Sequence, residues 1–182
     1  MFIRSKRLFL RPCWPEDCEE LFALVSREQV ARAMPVRQWP RDADETRVMM
    51  ERPLDRRLPR FLVTLPTASG QELIGMASLA LWDGAVELFH CIAPEYRGRG
   101  YATEAVAAVL AQARALGHSR IVSACFIDYP DGARVLEKAG FRPTGATCLR
   151  SRHAHGEPAP AVAMAIELES AGGNDDPAMR AA

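Results

Sequence analysis

The sequence predicts an α+β fold: a single mixed, mostly antiparallel sheet with helices on both faces. Two observations predict it. Strand-like runs joined by tight turn signals come first, and a strand–helix–strand segment then precedes a last pair of strands. Hairpins give antiparallel neighbours, whereas the strand–helix–strand crossover gives one parallel pair. A ligand is then expected outside the carboxyl ends of that parallel pair.

The N-terminal part combines one strand with two helices. Leu8–Leu10 is a predicted short strand, which Pro12 ends. Glu16–Arg27 has apolar residues at helical spacing and acids in its first turn, as a helix N-terminus prefers. After a proline-bracketed loop that contains Trp39, Asp42–Arg52 is predicted to be a second helix.

The middle of the chain is predicted to form two consecutive hairpins. Phe61–Leu65 is a continuous apolar run typical of a buried strand, and Pro66–Gly70 provides the turn into Leu73–Trp82. The pair Asp83-Gly84 is a strong signal for a two-residue hairpin turn. It leads into a strand at Val86–Ile92.

The last part of the chain contains two predicted helices, each ended by a glycine. The first is Tyr101–Leu116, before Gly117, and the second runs from an Asp131 N-cap to Ala139, before Gly140. Apolar runs predict the remaining strands, which are Ile121–Phe126, Thr144–Arg150 and Ala161–Glu167.

Length and composition indicate one domain. The 182 residues divide into a predicted domain, 1–169, and a predicted disordered tail, 170–182, which lacks apolar periodicity. Basic and acidic residues number 23 each, so the net charge is zero and no nucleic-acid partner is expected. Five cysteines without a C-x-x-C pair suit reduced thiols. Since no apolar run suits export or a membrane span, a cytoplasmic protein without a membrane partner is expected.

The segment Arg97–Gly100, with the sequence Arg-Gly-Arg-Gly, lies between a predicted strand and a predicted helix. Glycines two apart permit a tight turn with φ > 0, and the helix N-terminus that follows attracts an anion. A Walker A loop would need Lys and then Ser or Thr where Tyr101 and Ala102 stand. A Rossmann fingerprint would need Gly or Ala in place of Thr103. The sequence therefore predicts a phosphate-binding turn of another kind.

Three motifs resemble those of the GNAT N-acetyltransferases, in the branch that acetylates ribosomal-protein N-termini. Ala93–Ala105 resembles the acyl-CoA loop in its Arg-x-x-Gly-x-Ala form, together with the helix after it. Ser5–Pro12 and Val135–Phe141 resemble further motifs of the same branch, and the resemblance spans roughly residues 3 to 168. It implies the GNAT acyl-CoA N-acyltransferase fold, acetyl-CoA as the cosubstrate, and direct transfer of the acetyl group to an amine.

The resemblance also implies which residues contact the cofactor. Backbone N–H groups of the loop are expected to hold the pyrophosphate, and the preceding strand is expected to pair with the pantetheine arm like an added strand. The loop residues are Arg97, Gly98, Arg99, Gly100, Tyr101, Ala102 and Thr103. The strand residues are His90, Cys91 and Ile92. Arg99 fits a solvated surface charge nearly as well as a phosphate ligand.

The attacking amine must be neutral. An α-amino group has a reference pKa of about 7.7–8.0, against about 10.4 for lysine, so lysine is about 3.4 kcal/mol harder to deprotonate at pH 7. An enzyme with a weak base therefore suits N-termini or activated small amines. Glu87 is the candidate base, because strand alternation places it on one face with Phe89 and Cys91, where a carboxylate is unexpected. The family often carries an acid here; a paired structural carboxylate is the alternative.

The other candidate residues are weaker. His90 is the second candidate base, since imidazole titrates near neutrality, although the family tends to have a packed aromatic ring there. His153 and His155 form an H-x-H pair, but no cluster with ligand spacing supports a metal, and none is expected. A polar substrate-side loop is the preferred interpretation. Glu104, in the first turn of its helix, is interpreted as complementing the dipole.

The chain departs from the family at Tyr129 and Gly132, where Asn and Ser are common. The family's Asn usually contacts the pantetheine arm, so Tyr129 is expected beside the cofactor. It could donate a hydrogen bond to the arm, or it could be the general acid that protonates the departing thiolate. The binding role is favoured, because a thiolate whose acid has a pKa of about 8.5 leaves readily without help.

Together these residues favour an N-acetyltransferase that acts on a primary amine, with a protein N-terminal α-amino group ahead of a small-molecule amine. The alternative, which Tyr129 and Gly132 keep open, is an acyl-CoA-binding sensor with weak or lost catalysis. Acceptor specificity is expected from the Met34–Asp42 loop, which contains Trp39, and from the loop of the terminal hairpin. The expected assembly is a monomer or a homodimer.

Overall fold

The computed structural model describes residues 1–35, 42–51, 55–68, 70–152 and 156–169. The strands in these ranges are β1 (Ile3–Arg4), β2 (Phe9–Arg11), β3 (Arg60–Thr67), β4 (Gly70–Trp82), β5 (Ala85–Ile92), β6 (Arg120–Phe126), β7 (Arg142–Ser151) and β8 (Pro158–Glu167). The α-helices are α1 (Cys18–Val25), α2 (Glu28–Ala31), α3 (Ala43–Glu51), α4 (Tyr101–Ala115) and α5 (Pro130–Lys138).

These strands form one eight-stranded sheet in the order β1-β2-β3-β4-β5-β6-β8-β7. Its neighbouring pairs are antiparallel, with the exception of β5 and β6, which are parallel. Helix α4 connects this pair, as a crossover between parallel strands requires. The predicted α+β fold with a mixed, mostly antiparallel sheet is confirmed.

Helices α4 and α5 cover one face of the sheet, which we call the α4 face. Leu88 and Ile92 of β5 belong to the same buried cluster as Val106 and Val109 of α4 and Leu136 of α5. Burial of such aliphatic side chains contributes roughly 1.5–3 kcal/mol each. This apolar contact fixes the N-terminal ends of α4 and α5 beside the end of β5.

Helices α1 and α2 cover the opposite face, which we call the α1 face. Phe89 and Cys91 of β5 lie there in a second buried cluster with Leu21 of α1 and Val30 of α2. Alternation along β5 thus sends successive side chains to opposite faces, as a strand requires. The prediction of helices on both faces is confirmed.

The start of α5 differs from its prediction. Its N-cap is Tyr129, so the prediction of Asp131 as the N-cap is wrong. Pro130 takes the first helical position, where its missing N–H has no intrahelical partner to lose. Asp131 lies in the first turn and pairs with Arg134 at 3.2 Å. Pro130 was the better boundary signal, and it places Tyr129 at the junction of β6 and α5.

The turn at Asp83-Gly84 and the end of α4 at Gly117 match their predictions. Asp83 and Gly84 have φ values of 49° and 75°, as the two-residue hairpin turn requires. Gly117, with φ of 82°, follows α4. Strand β1 and helix α2 were not predicted, because two and four residues are too few to show a hydrophobic period.

Some predicted features lie outside the described residues. These are Trp39, His153, His155, most of the Met34–Asp42 loop, and the tail at 170–182. In the described part of the chain, no helix is both long enough and apolar enough to span a membrane.

Candidate active site

A pocket opens where the parallel strands β5 and β6 separate. Their ladder contains one residue pair, Glu87 with Val122. Directly after it, Ser123 Oγ donates to the Leu88 carbonyl at 2.9 Å, so a side chain takes the place of a backbone partner. Beyond this point the two strands form opposite walls of a pocket of about 320 Å³. The pocket lies where the crossover topology predicts a ligand.

Most of the predicted cofactor residues line this pocket. They are His90, Cys91, Ile92, Arg97, Gly98, Gly100, Ala102, Thr103 and Tyr129. Arg99 and Tyr101 belong to the same loop but lie beside the pocket. The Arg99 guanidinium lies over the Tyr96 ring at 5.7 Å, and Tyr101 lies under Arg7 at 4.6 Å.

The loop before α4 has the geometry of an anion site. Gly98 and Gly100 have φ values of 76° and 79°, a left-handed conformation that glycine adopts without steric cost. The first hydrogen bond of α4 runs from the Glu104 N–H to the Gly100 carbonyl at 3.1 Å. The N–H groups at positions 101–103 therefore precede the intrahelical ladder and are available to a ligand. The Arg97 N–H already donates to Pro94 at 3.2 Å, so it is the least available of the predicted amides.

Arg7 braces this loop from the N-terminal segment, a role that the sequence did not reveal. Its Nη1 donates to the Arg99 carbonyl at 2.8 Å, and its Nε donates to Glu104 Oε2 at 2.7 Å. Ser5 Oγ and the Arg7 N–H both donate to Glu104 Oε1 at 2.7 Å. Glu104 thus anchors the N-terminal segment, besides lying at the positive end of α4. The sequence offered one indication: Arg7 lies in the Ser5–Pro12 motif that resembles the family. The motif does not reveal the contacts that Arg7 makes.

Alternate residues of β5 direct their backbone N–H and C=O groups toward the gap. The Leu88 carbonyl accepts from Ser123 and the Ile92 carbonyl accepts from Arg97 Nε at 3.2 Å, both on the side of β6. Strand alternation then directs the backbone N–H and C=O of His90 into the gap and those of Cys91 toward β4. His90 is therefore the residue whose backbone is best placed to pair with a linear ligand. Burial lowers the pKa of the His90 ring to about 4, so the ring is neutral at pH 7.

Tyr129 closes the outer end of the gap together with Arg97. Its hydroxyl accepts from Arg97 Nη1 at 2.5 Å and donates to the Gln29 carbonyl at 3.1 Å. Arg97 Nη2 donates to the same carbonyl at 3.2 Å. The network joins the α4 loop, the start of α5 and helix α2 around one wall of the pocket.

The second departure from the family is Gly132, which lies close to Cys125. A Cβ at this position would lie 3.1 Å from Cys125 Sγ, so a larger residue would need the thiol to shift by a few tenths of an ångström. Burial raises the pKa of the Cys125 thiol to about 12, which keeps the thiol protonated at neutral pH.

Glu87 is not among the residues that line the pocket. It precedes the lining residue Leu88, at the pair with Val122 where β5 and β6 meet, and its side chain lies on the α1 face and is 1% exposed. Burial raises the pKa of its carboxyl to about 7, and Arg150 opposes that rise. Arg150 Nη2 lies 3.3 Å from each carboxylate oxygen. As predicted, Glu87 lies on the same face as Phe89 and Cys91. Its carboxylate is also paired with Arg150, as the alternative of a paired carboxylate expected. Arg150 was missed, because no pattern in the sequence links β7 to β5.

The described residues contain no group of three or more His, Cys, Asp or Glu side chains that could hold a metal ion.

Comparisons with known proteins place these features in a family. Residues 7–142 match a family described as the Acetyltransferase (GNAT) domain. The chain belongs to the GNAT acetyltransferase family. It is therefore an acetyl-CoA-dependent acetyltransferase, as the motifs around the Arg97–Gly100 turn implied. No curated protein matches the sequence.

Solved structures share the fold over most of the chain. A GNAT acetyltransferase from Bacillus anthracis is 25% identical, with a TM-score of 0.74, over 92% of this chain and 98% of that one. The ribosomal L7/L12 alpha-N-protein acetyltransferase RimL, in complex with coenzyme A, is 18% identical, with a TM-score of 0.75, over 92% and 98%. A chimera of the Vibrio cholerae spermidine N-acetyltransferase SpeG and hSSAT is 22% identical, with a TM-score of 0.70, over 89% and 96%.

Gly100→Val is expected to weaken coenzyme A binding at least about tenfold, which is about 1.4 kcal/mol. A β-branched residue is strained at φ of 79°, and its Cβ would press on Arg7 Nη2 at 3.4 Å, so the turn would change shape. Isothermal titration calorimetry measures the affinity. Gly117→Val, at φ of 82° and with nothing within 4 Å of the added Cβ, is the matched control for strain away from the pocket. Equal affinities of the Gly100 variant and the unmodified protein would contradict the prediction.

Tyr129→Phe is expected to weaken coenzyme A binding by roughly 0.5–1.5 kcal/mol while turnover changes little. The variant keeps the ring but removes the hydroxyl, whose one proton is donated to the Gln29 carbonyl and whose oxygen accepts from Arg97. The expected loss therefore comes from loosening this wall of the pocket rather than from a direct hydrogen bond to the arm. Calorimetry gives the affinity, and thiol release at saturating acetyl-CoA gives kcat. The opposite pattern, a lower kcat at unchanged affinity, would assign Tyr129 the role of general acid.

Proposed function

We propose that the protein transfers an acetyl group from acetyl-CoA directly to a primary amine, with a protein N-terminal α-amino group as the preferred acceptor ahead of a small-molecule amine. The observation that carries the proposal is the gap between β5 and β6. One side of this gap leads to the Gly98 and Gly100 turn, which is the proposed phosphate site. The closed end of the gap adjoins Glu87, a buried carboxylate on the face opposite α4.

The cofactor would enter along the open edge of β5. The amides at the start of α4 would hold the pyrophosphate, and their positive dipole end complements its charge. The pantetheine arm would pair with the backbone of His90 and continue toward the point where β5 and β6 meet. Tyr129 would face this arm from the opposite wall.

Glu87 would act as the general base. Its pKa of about 7 makes Glu87 a stronger base than an ordinary glutamate, while about half of it stays ionised at neutral pH. Because the side chain is 1% exposed, the proton of the amine would reach the carboxylate through a bridging water rather than by direct contact. His90, with a pKa of about 4, is the poorer base.

The choice of an α-amine rests on basicity rather than on the fold. The fold neighbours include an enzyme named for a ribosomal protein and one named for spermidine. A base with a pKa near 7 is matched to an α-ammonium group far better than to the ammonium group of lysine or a polyamine. A cytoplasmic location belongs to the same proposal, supported by cysteines that are all free.

An amine panel tests the proposed reaction. Acetyl-CoA is offered with a peptide that has a free N-terminus, the same peptide with a blocked N-terminus and one lysine, spermidine, and an aminoglycoside. Thiol release is expected to be fastest with the free N-terminus at pH 7. Preference for spermidine would contradict the acceptor class. Tight coenzyme A binding without transfer to any amine would favour the acyl-CoA sensor instead.

Glu87→Gln is expected to lower kcat about a hundredfold or more and to leave coenzyme A affinity unchanged. The ionised base is lost as pH falls through the Glu87 pKa, so kcat of the unmodified enzyme should fall below about pH 7, and the variant should lack this limb. A pH series of kcat makes the measurement. Glu167→Gln, at an exposed pair with Arg120, is the matched control. Full activity of the Glu87 variant at every pH would make Glu87 a structural residue.

A further inference from the structure

Arg150 reaches Glu87 across the α1 face from a distant strand. Two strands, β6 and β8, lie between β5 and β7 in the sheet, yet Arg150 Nη2 lies 3.3 Å from both Glu87 oxygens. The two side chains are 14% and 1% exposed. The residue paired with Arg150 on β8 is Ala159, whose small side chain leaves room for the arginine to lie across the sheet.

The guanidinium is held in one place by two contacts. Its carbon lies 4.4 Å from the centre of the Trp82 ring, and its Nη2 faces Glu87. Arg150 Nη1 is buried and has no hydrogen-bond acceptor among the described residues. A buried donor without an acceptor is destabilising, so packing alone does not account for an arginine at this position.

The charge of Arg150 acts on a carboxylate that burial would otherwise neutralise. Burial raises the pKa of Glu87, whereas Arg150 lowers it through its charge and its hydrogen bonds. The titratable group on β6 that interacts with Glu87 is Cys125, whose thiol stays protonated because its pKa is about 12, and Trp82, which stacks on Arg150, is uncharged. Among the described residues, Arg150 is therefore the charged group that keeps Glu87 ionisable near neutral pH.

We propose that Arg150 is the positioning residue for Glu87: it holds the carboxylate ionised and in a fixed orientation beside the point where β5 and β6 meet. The proposal rests on the proposed role of Glu87 as the base. Arg150 itself touches neither acetyl-CoA nor the amine in this scheme. It acts through Glu87, and Trp82 fixes the plane of its guanidinium.

Two properties are measured in parallel on the same variants. The titration of the Glu87 carboxyl is followed by ¹³C NMR of glutamate-labelled protein and assigned with Glu87→Gln. The pH dependence of kcat is followed by thiol release. Arg150→Met and Arg150→Gln remove the charge, and Arg150→Lys restores it without the planar fork. Circular dichroism identifies the variants that fold, and either uncharged variant is sufficient.

The matched control is Arg152→Met. Arg152 lies just beyond the end of β7, stacks over Phe126 at 4.3 Å and pairs with Asp128 at 2.5 Å. Like Arg150, it therefore contacts one aromatic ring and one carboxylate, but it does not contact Glu87. Its replacement is expected to leave the Glu87 titration where it is.

Loss of the Arg150 charge is expected to raise the Glu87 pKa by about 1–3 units, and the acidic limb of the kcat profile should move upward with it. A rise of one unit lowers the ionised fraction at pH 7 about fivefold, and activity should recover at higher pH. Arg150→Lys should show a smaller shift. A purely structural role for Arg150 would instead lower kcat by the same factor at every pH.

The possible outcomes separate this proposal from the proposed function. A Glu87 titration that is unchanged in a folded uncharged variant overturns the proposal, as does an equal shift in Arg152→Met. A shifted titration with an unshifted kcat profile would sustain the control of Glu87 by Arg150 and remove Glu87 as the base. Shifts in both measurements, reduced in Arg150→Lys, support the two together.

Discussion

The separation of β5 and β6 after a single residue pair determines where every part of the site can lie. A parallel ladder that continued beyond Glu87 and Val122 would use the backbone of His90 internally. The hydroxyl of Ser123 instead satisfies the Leu88 carbonyl, so the strands part without leaving a buried acceptor unpaired. The gap that results presents a free strand edge and ends at the start of α4.

An open gap in a sheet needs bracing, and side chains provide it. Arg97 and Tyr129 join the two loops that follow β5 and β6, and both are held by the carbonyl of Gln29 in α2. Because α2 also packs on the α1 face, this network connects the cofactor side of the sheet with the side that carries Glu87. The width of the gap therefore depends on contacts from three elements rather than on backbone pairing.

The parts of the site that could be predicted from the sequence are those with local causes. The turn at Gly98 and Gly100 and the helix after it depend on consecutive residues. Strand alternation was enough to predict which face of the sheet carries Glu87. Arg7 and Arg150 could not be found in this way, since they act on Glu104 and Glu87 from 97 and 63 positions away. A positive charge in a sequence does not identify its partner; only the strand order brings the two together.

The electrostatics of Glu87 connect the proposed base to the proposed class of acceptor. Burial and the opposing charge of Arg150 leave its pKa at about 7, within roughly one unit of an α-ammonium group. Proton transfer from that group to Glu87 is then uphill by about 1.4 kcal/mol, whereas transfer from a lysine ammonium, about 3.4 units away, costs about 4.6 kcal/mol. Without burial the carboxylate would be a weaker base, and without Arg150 it would be protonated at neutral pH. In the proposed reaction, the match to an α-amine therefore needs both β5, which buries the glutamate, and β7, which supplies the charge.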